Sequence, residues 1–81
     1  MTSHAITVAD LDLPGVPITL SAWLVSVGDL VVEGDRVVEL LAREVTVDLP
    51  SPATGILAEK LAATDDVVAV GQVLGLIVAR E

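Results

Sequence analysis

The stretch Val37-Val38-Glu39-Leu40-Leu41-Ala42-Arg43-Glu44-Val45-Thr46-Val47-Asp48-Leu49, closed by Pro50-Ser51-Pro52, decides how this chain reads. Its second half alternates: Val45, Val47 and Leu49 share one side of an extended backbone, and Thr46 and Asp48 share the other. That is the period-two pattern of a strand with one dry and one wet face. Its first half is also strand-like, but Leu40 and Leu41 are adjacent and must point to opposite faces, so one of them lies outside the core. The two runs meet at Ala42-Arg43-Glu44, where no Gly, Asn or Pro marks a primed hairpin turn. Periodicity therefore predicts a strand running into a strand and leaves the position of the tip open.

Upstream, Val27-Gly28-Asp29 and Glu33-Gly34-Asp35 flank a short Leu30-Val31-Val32 strand, with acids beside glycines where turn backbones need help. Ile18 to Val25, carrying Trp23, reads as another strand, preceded by an Asp-, Pro- and Gly-rich loop from Asp10 to Pro17. Ala5 to Ala9 reads as the first strand, and residues 1–4 as a flexible N-terminus ahead of a single domain over 5–81. Downstream, Pro50-Ser51-Pro52 is expected to make an extended corner outside any ladder.

The second half then repeats the first. With a shift of 37 residues, Gly34 falls on Gly71, Asp29 on Asp66, Leu24 on Leu61, Leu30-Val31 on Val67-Val68, and Leu40-Leu41-Ala42-Arg43 on Ile77-Val78-Ala79-Arg80. Each copy supplies about four short strands whose apolar faces cannot be buried alone, so the two must close face to face. The expected fold is all-β: a flattened barrel or sandwich of two four-stranded antiparallel sheets related by a pseudo-twofold. That relation puts the Arg43 tip at one end and the chain termini at the other.

Composition narrows the function classes. Eighty-one residues make one small domain, which buries about 60–65% of the area its unfolded chain exposes. The apolar fraction of 53% is carried by aliphatic side chains, with Trp23 the one aromatic. There is no cysteine and one histidine, so neither a disulfide nor a protein-only Cys/His zinc site can form, and no metal site is expected. The formal charge of −8 opposes binding to nucleic acid and favours solubility or docking on a basic protein surface. The Val67–Ala79 run is too short to span a bilayer, so no membrane contact is expected. Met1-Thr2-Ser3-His4 lacks the basic and apolar parts of a secretion signal, and a cytoplasmic location is the expectation. No Ser/His or carboxylate constellation offers a nucleophile or an acid/base pair, so no catalytic residue and no enzyme activity are expected.

Trp23-Leu24-Val25, Val27-Gly28-Asp29, Glu33-Gly34-Asp35, Glu39, Val45-Thr46-Val47, Pro50-Ser51-Pro52-Ala53-Thr54-Gly55 and Val70-Gly71-Gln72 together resemble a biotinyl/lipoyl attachment domain. The likeness runs from about Ile6 to Ile77 and is nearest to lipoyl domains of the acyltransferase subunits of 2-oxo acid dehydrogenase complexes. It implies a hairpin tip in the register Leu41-Ala42-Arg43-Glu44. In that family the tip reads Glu-Thr-Asp-Lys, and its lysine carries the lipoyl group in amide linkage. Here Glu44 stands at the lysine position, so no lipoyl or biotinyl cofactor is expected on this chain. A carboxylate cannot form the amide, and the guanidinium of Arg43 stays protonated.

The resemblance thus leads to a non-enzymatic, lipoyl-domain-like module acting by protein contact. Its expected partner is a thiamine-dependent decarboxylase or acyltransferase component of a 2-oxo acid dehydrogenase-like system. The rival expectation is a swinging-arm carrier whose acceptor lysine has been substituted at position 44. The tip Ala42, Arg43, Glu44 and Val45 is the family's attachment site, and Leu41, Arg43 and Glu44 are the candidate partner contacts. Leu41 beside Ala42 and Val45 makes the tip region apolar enough to hold a protein. Lys60, the single lysine, aligns with Trp23 in the repeat and is expected inside a strand.

Overall fold

Alternating aliphatic side chains and closely spaced turn residues leave room only for short strands, and the computed structural model, describing residues 1–79, contains eight of them and no helix. They are β1 (Thr2–Thr7), β2 (Ile18–Trp23), β3 (Leu30–Val31), β4 (Arg36–Ala42), β5 (Val45–Pro50), β6 (Gly55–Lys60), β7 (Val67–Val68) and β8 (Val73–Ala79). One sheet runs β1-β8-β6-β3 and the other β5-β4-β2-β7, with every pairing antiparallel. The result is an all-β flattened barrel.

The repeat seen in the sequence is carried down to individual hydrogen bonds. Leu20 N–H donates to Asp66 O and Leu57 N–H to Asp29 O, so each copy reaches into the other's turn. Asp29 Oδ2 accepts from Ser26 N–H at 2.8 Å, and Asp66 Oδ2 accepts from Ala63 N–H at 2.8 Å. Asp35 Oδ2 accepts from Val32 N–H at 2.8 Å, and in the second copy Gln72 Oε1 does the same for Ala69 N–H at 3.0 Å. The acids beside the glycines are therefore turn caps, satisfying backbone donors that the tight bends leave without ladder partners. The strand irregularities repeat as well, between Leu20 and Ala22 in β2 and between Leu57 and Glu59 in β6.

The core fills the space between the sheets. Leu20, Leu40, Val37 and Val38 from one copy face Leu57, Leu74 and Ile77 from the other, all with no exposed surface. No buried side-chain polar atom of the described residues lacks a hydrogen-bond partner; Ser51, the one buried polar residue, donates to Ala53 O at 2.7 Å. Such a core gains from each aliphatic side chain about 1.5–3 kcal/mol relative to exposure.

Trp23 breaks the symmetry usefully. Its repeat counterpart, Lys60, pairs with Gly75, whereas Trp23 pairs with Val38. A side chain at Gly75 would come within 2.9 Å of the Trp23 ring and 2.7 Å of Glu59 O, so the indole occupies room that glycine vacates. The ring N–H donates to Ala62 O at 2.9 Å, and Lys60 Nζ lies 5.2 Å from the ring centroid. One large aromatic therefore fills the join of the two copies and holds the lysine against it.

Two boundary expectations are corrected. Residues 2–4 are not a loose tail: Thr2, Ser3 and His4 pair with Ala79, Val78 and Ile77. Small polar side chains hid a strand whose order comes from β8 rather than from its own hydrophobicity. Pro50 is not outside the ladder but ends β5 opposite Arg36. An edge strand allows this because the position that lacks an N–H faces away from the sheet.

Candidate functional site

The repeat also makes two equivalent ends that connectivity treats differently. At one, Ala42 pairs with Val45 and the two-residue turn Arg43-Glu44 joins β4 to β5. At the other, Ala79 pairs with Thr2, and no turn joins β8 to β1. The two rungs lie at opposite ends: β1 runs from Thr2 to a bridge between Val8 and Gly71, next to β7, and Val68 of β7 pairs with Ile18, which pairs with Ala42. The Arg43-Glu44 turn caps one end of this 39 × 19 × 18 Å body.

Arg43 has φ 55°, the left-handed region that side chains rarely adopt, and Glu44 does not share it. A positive φ at the first central residue alone is the sign pattern of a type II′ hairpin, normally built with glycine. This explains why the tip carried no turn signal in the sequence: the β4–β5 ladder imposes the bend on residues that do not ask for it. The backbone strain is of order 1–2 kcal/mol and is held by the pairing on either side.

Side chains sort by strand parity. Ala42 faces the core and is buried, while Arg43 and Glu44 are exposed on the turn. Leu41 is 36% exposed and Leu40 fully buried, so Leu41 is the member of the pair that points outward, across from Thr46 on β5 and Thr19 on β2. Val45, 52% exposed, shares Leu49's side of β5 but overhangs the end of the core. Leu41, Arg43, Glu44 and Val45 are thus the exposed residues of the tip, with Leu41 on the outer face of the hairpin and Val45 on the face of its cross-strand partner Ala42.

Chemically this exposed knob offers a guanidinium, a carboxylate and two aliphatic surfaces, with no neutral amine and no nucleophile. The one lysine, Lys60, ends β6 on the rung of Gly75, over the Trp23 ring, away from the tip. Among the described residues no group of three or more His, Cys, Asp or Glu is placed to hold a metal. The one ion pair found among them, Arg36 with Asp48 at 3.8 Å, braces β4 against β5 but is largely solvated.

Beside the knob lies a groove that the sequence reading treated only as a loop. Residues 10–18 and 68–70 line an open groove of about 550 Å³, with Leu11 and Val16 packed on the core. Asp12, with φ 57°, and Gly15, with φ 76°, make the bends, and Asp10 Oδ1 accepts from Asp12 N–H at 2.9 Å. Because Ile18 pairs with Ala42, groove and knob share one rung. The Pro14-Gly15 and Pro17 punctuation marked the loop, but nothing local could place it at the tip end.

This arrangement, a hairpin knob capping one end of a twofold β-barrel, matches known proteins. The family profile described as "Biotin-requiring enzyme", that of the biotin/lipoyl domains, matches residues 12–77. The chain belongs to the biotin/lipoyl family. It is 41% identical over 59 residues to the dihydrolipoyllysine-residue succinyltransferase component of the 2-oxoglutarate dehydrogenase complex of Staphylococcus saprophyticus. It is 39% identical over 59 residues to the dihydrolipoyllysine-residue acetyltransferase component of the pyruvate dehydrogenase complex of Corynebacterium glutamicum. Each alignment takes in 73% of this chain but only 14% and 9% of those relatives, so the lipoyl-type domain is a small part of their length. Its fold is that of the lipoyl domain of the 2-oxoglutarate dehydrogenase complex from Azotobacter vinelandii, with a TM-score of 0.72 at 23% identity, over 93% of this chain and 98% of that one.

Proposed function

We propose that this lipoyl-type domain carries no lipoyl or biotinyl group and serves a 2-oxo acid dehydrogenase-type system as a protein-recognition module. The observation that carries the reading is the tip itself: Arg43 and Glu44 occupy the two-residue turn, and the chain's single lysine lies elsewhere on a strand end. An amide to a carboxylic prosthetic group requires a deprotonatable amine on a protruding turn. Glu44 offers a carboxylate, which has no nitrogen to acylate, and Arg43 does not deprotonate. The residues present do not fit the group.

What is left at the tip is a knob with two faces: Leu41 gives apolar area on the outer one and Val45 on the other, and Arg43 and Glu44 give two opposite charges on the bend between them. Such a knob suits a protein cleft whose apolar walls grip both faces of the hairpin and whose end meets the two charges. Relatives named as acyltransferase components of multienzyme complexes support a component of such a complex as the partner, either the thiamine-dependent decarboxylase or the acyltransferase. In this reading the domain is recognised without delivering an acyl group, and it has no catalytic residue of its own.

The test is the intact mass of the chain from its native source, read beside proteins that co-purify with it. The expected outcome is the unmodified mass together with 2-oxo acid dehydrogenase components whose capture is lost in Leu41→Glu and Glu44→Ala. A lipoyl or biotinyl adduct on the native chain would end the proposal.

A further inference from the structure

Two four-stranded sheets leave four strand edges: β1, β3, β5 and β7. Open edges invite pairing with other strands, and proteins protect them with shortness, charge or proline. β3 and β7 have two residues each and offer little. β5 and β1 have six residues each and are equivalent under the internal twofold. Their equivalence is fixed by hydrogen bonds: Ser51 N–H donates to Asp35 O and its C=O accepts from Gly34 N–H, just as Val8 N–H donates to Gln72 O and its C=O accepts from Gly71 N–H.

Backbone polar groups alternate sides along a strand. Because Ser51 turns both of its groups toward the sheet, Thr46, Asp48 and Pro50 turn theirs to the open side of β5. Pro50 has no N–H to give there, and Asp48 adds a charge, held by Arg36 at 3.8 Å. Both devices block strand addition. On β1 the same logic starts from Val8 and turns Thr7, Ala5 and Ser3 outward. Ala5 stands where β5 has Asp48, and Thr7 where it has Pro50. All three β1 residues are exposed, uncharged and able to donate.

We propose that β1 is a self-association edge, pairing antiparallel with β1 of a second copy to join two four-stranded sheets into one of eight strands. The occupant follows from the register. Centred on Ala5, the pairing sets Ala5 against Ala5 of the second copy and Ser3 against Thr7, each pair exchanging two backbone hydrogen bonds. Between them His4 faces Ile6. No like charges meet and no proline intervenes, so the edge is complementary to itself. Centred on Asp48, the equivalent pairing of β5 would oppose two carboxylates and lose the Pro50 donors. A six-residue edge is smaller than a standard interface, and two chains of charge −8 repel. The dimer is therefore a weak one and tightens as salt screens the repulsion.

Sedimentation equilibrium of the full chain from about 10 μM to 1 mM tests this, with amide hydrogen exchange read at both ends of the range. The expected result is a monomer–dimer equilibrium in which the Ser3, Ala5 and Thr7 amides gain protection in the dimer. Ala5→Pro removes an outward N–H that β8 does not use, and Ala5→Asp copies the β5 device. Each should weaken association at least about tenfold while leaving the far-ultraviolet circular dichroism of the monomer unchanged. Ala5→Asp keeps the test decisive should Ala5→Pro disturb the strand. A wild-type chain monomeric throughout, or a dimer equally strong in Ala5→Asp, would overturn the proposal. So would protection of those three amides that appears only when a different protein is added, because the edge would then belong to a foreign strand.

Discussion

The two halves of this domain are built on one plan and end differently. In the first, β2 and β4 lead to a rung, Ala42 with Val45, that a two-residue turn closes; in the second, β6 and β8 lead to Ala79 with Thr2, which no turn joins. Sheet geometry, core packing and turn capping are shared, so none of them explains why one end protrudes. Connectivity does. The scaffold supplies two equivalent platforms, and the covalent link across one of them makes a knob that the packing of both halves holds still.

The comparison breaks most visibly in the core. Leu20 and Leu57 occupy equivalent places beside the strand irregularities, and both are fully buried. Leu→Ala at either should cost about 2–5 kcal/mol in urea unfolding, and the two costs should agree within about 1 kcal/mol. A large inequality would mean that the halves share a pattern without sharing a load.

Gly75 sharpens the one place where the halves differ by necessity. Gly75→Val reproduces the residue of the other copy, Val38, yet should destabilise by about 1–3 kcal/mol, because the new side chain meets Glu59 O and the Trp23 ring. Pairing it with Trp23→Ala removes the ring contact but not the backbone one, so a double-mutant cycle should show partial, not full, relief.

The turn caps come next. Asp29→Ala and Asp66→Ala each remove an acceptor from an exposed turn N–H and should cost about 0.5–1.5 kcal/mol, nearly equally, by thermal or urea unfolding. The smallest effect belongs to the tip. Glu44→Lys should change stability by less than about 0.5 kcal/mol while making the chain a substrate for a lipoate ligase, detected as an added lipoyl mass. An unchanged mass would mean that the knob does not stand in the attachment register of its relatives.

Much of this was legible in the residues. The shift that lays Gly34 on Gly71 and Asp29 on Asp66 forces two like units to bury their faces against each other, and β4 over Arg36–Ala42 follows from its own apolar pattern. What escaped had physical reasons. The Thr2-Ser3-His4 part of β1 has no periodic hydrophobicity, because its partner β8 supplies the order. Pro50 entered the ladder because it lies on an edge, a fact of sheet order that no local window contains. The bend at Arg43 was silent because the ladder on both sides, rather than a glycine, drives its φ positive.

The sequence by itself determined the all-β class, the twofold plan, the acidic surface and the residue types present at the hairpin, since these depend on side-chain chemistry and spacing along the chain. Only the tertiary structure decided that Leu41 faces outward while Ala42 faces in, that the loop over residues 10–18 lies beside the knob, and that β1 and β5 are matching edges with unequal protection. Those are relations between residues far apart in the chain, and strand pairing alone brings them into register.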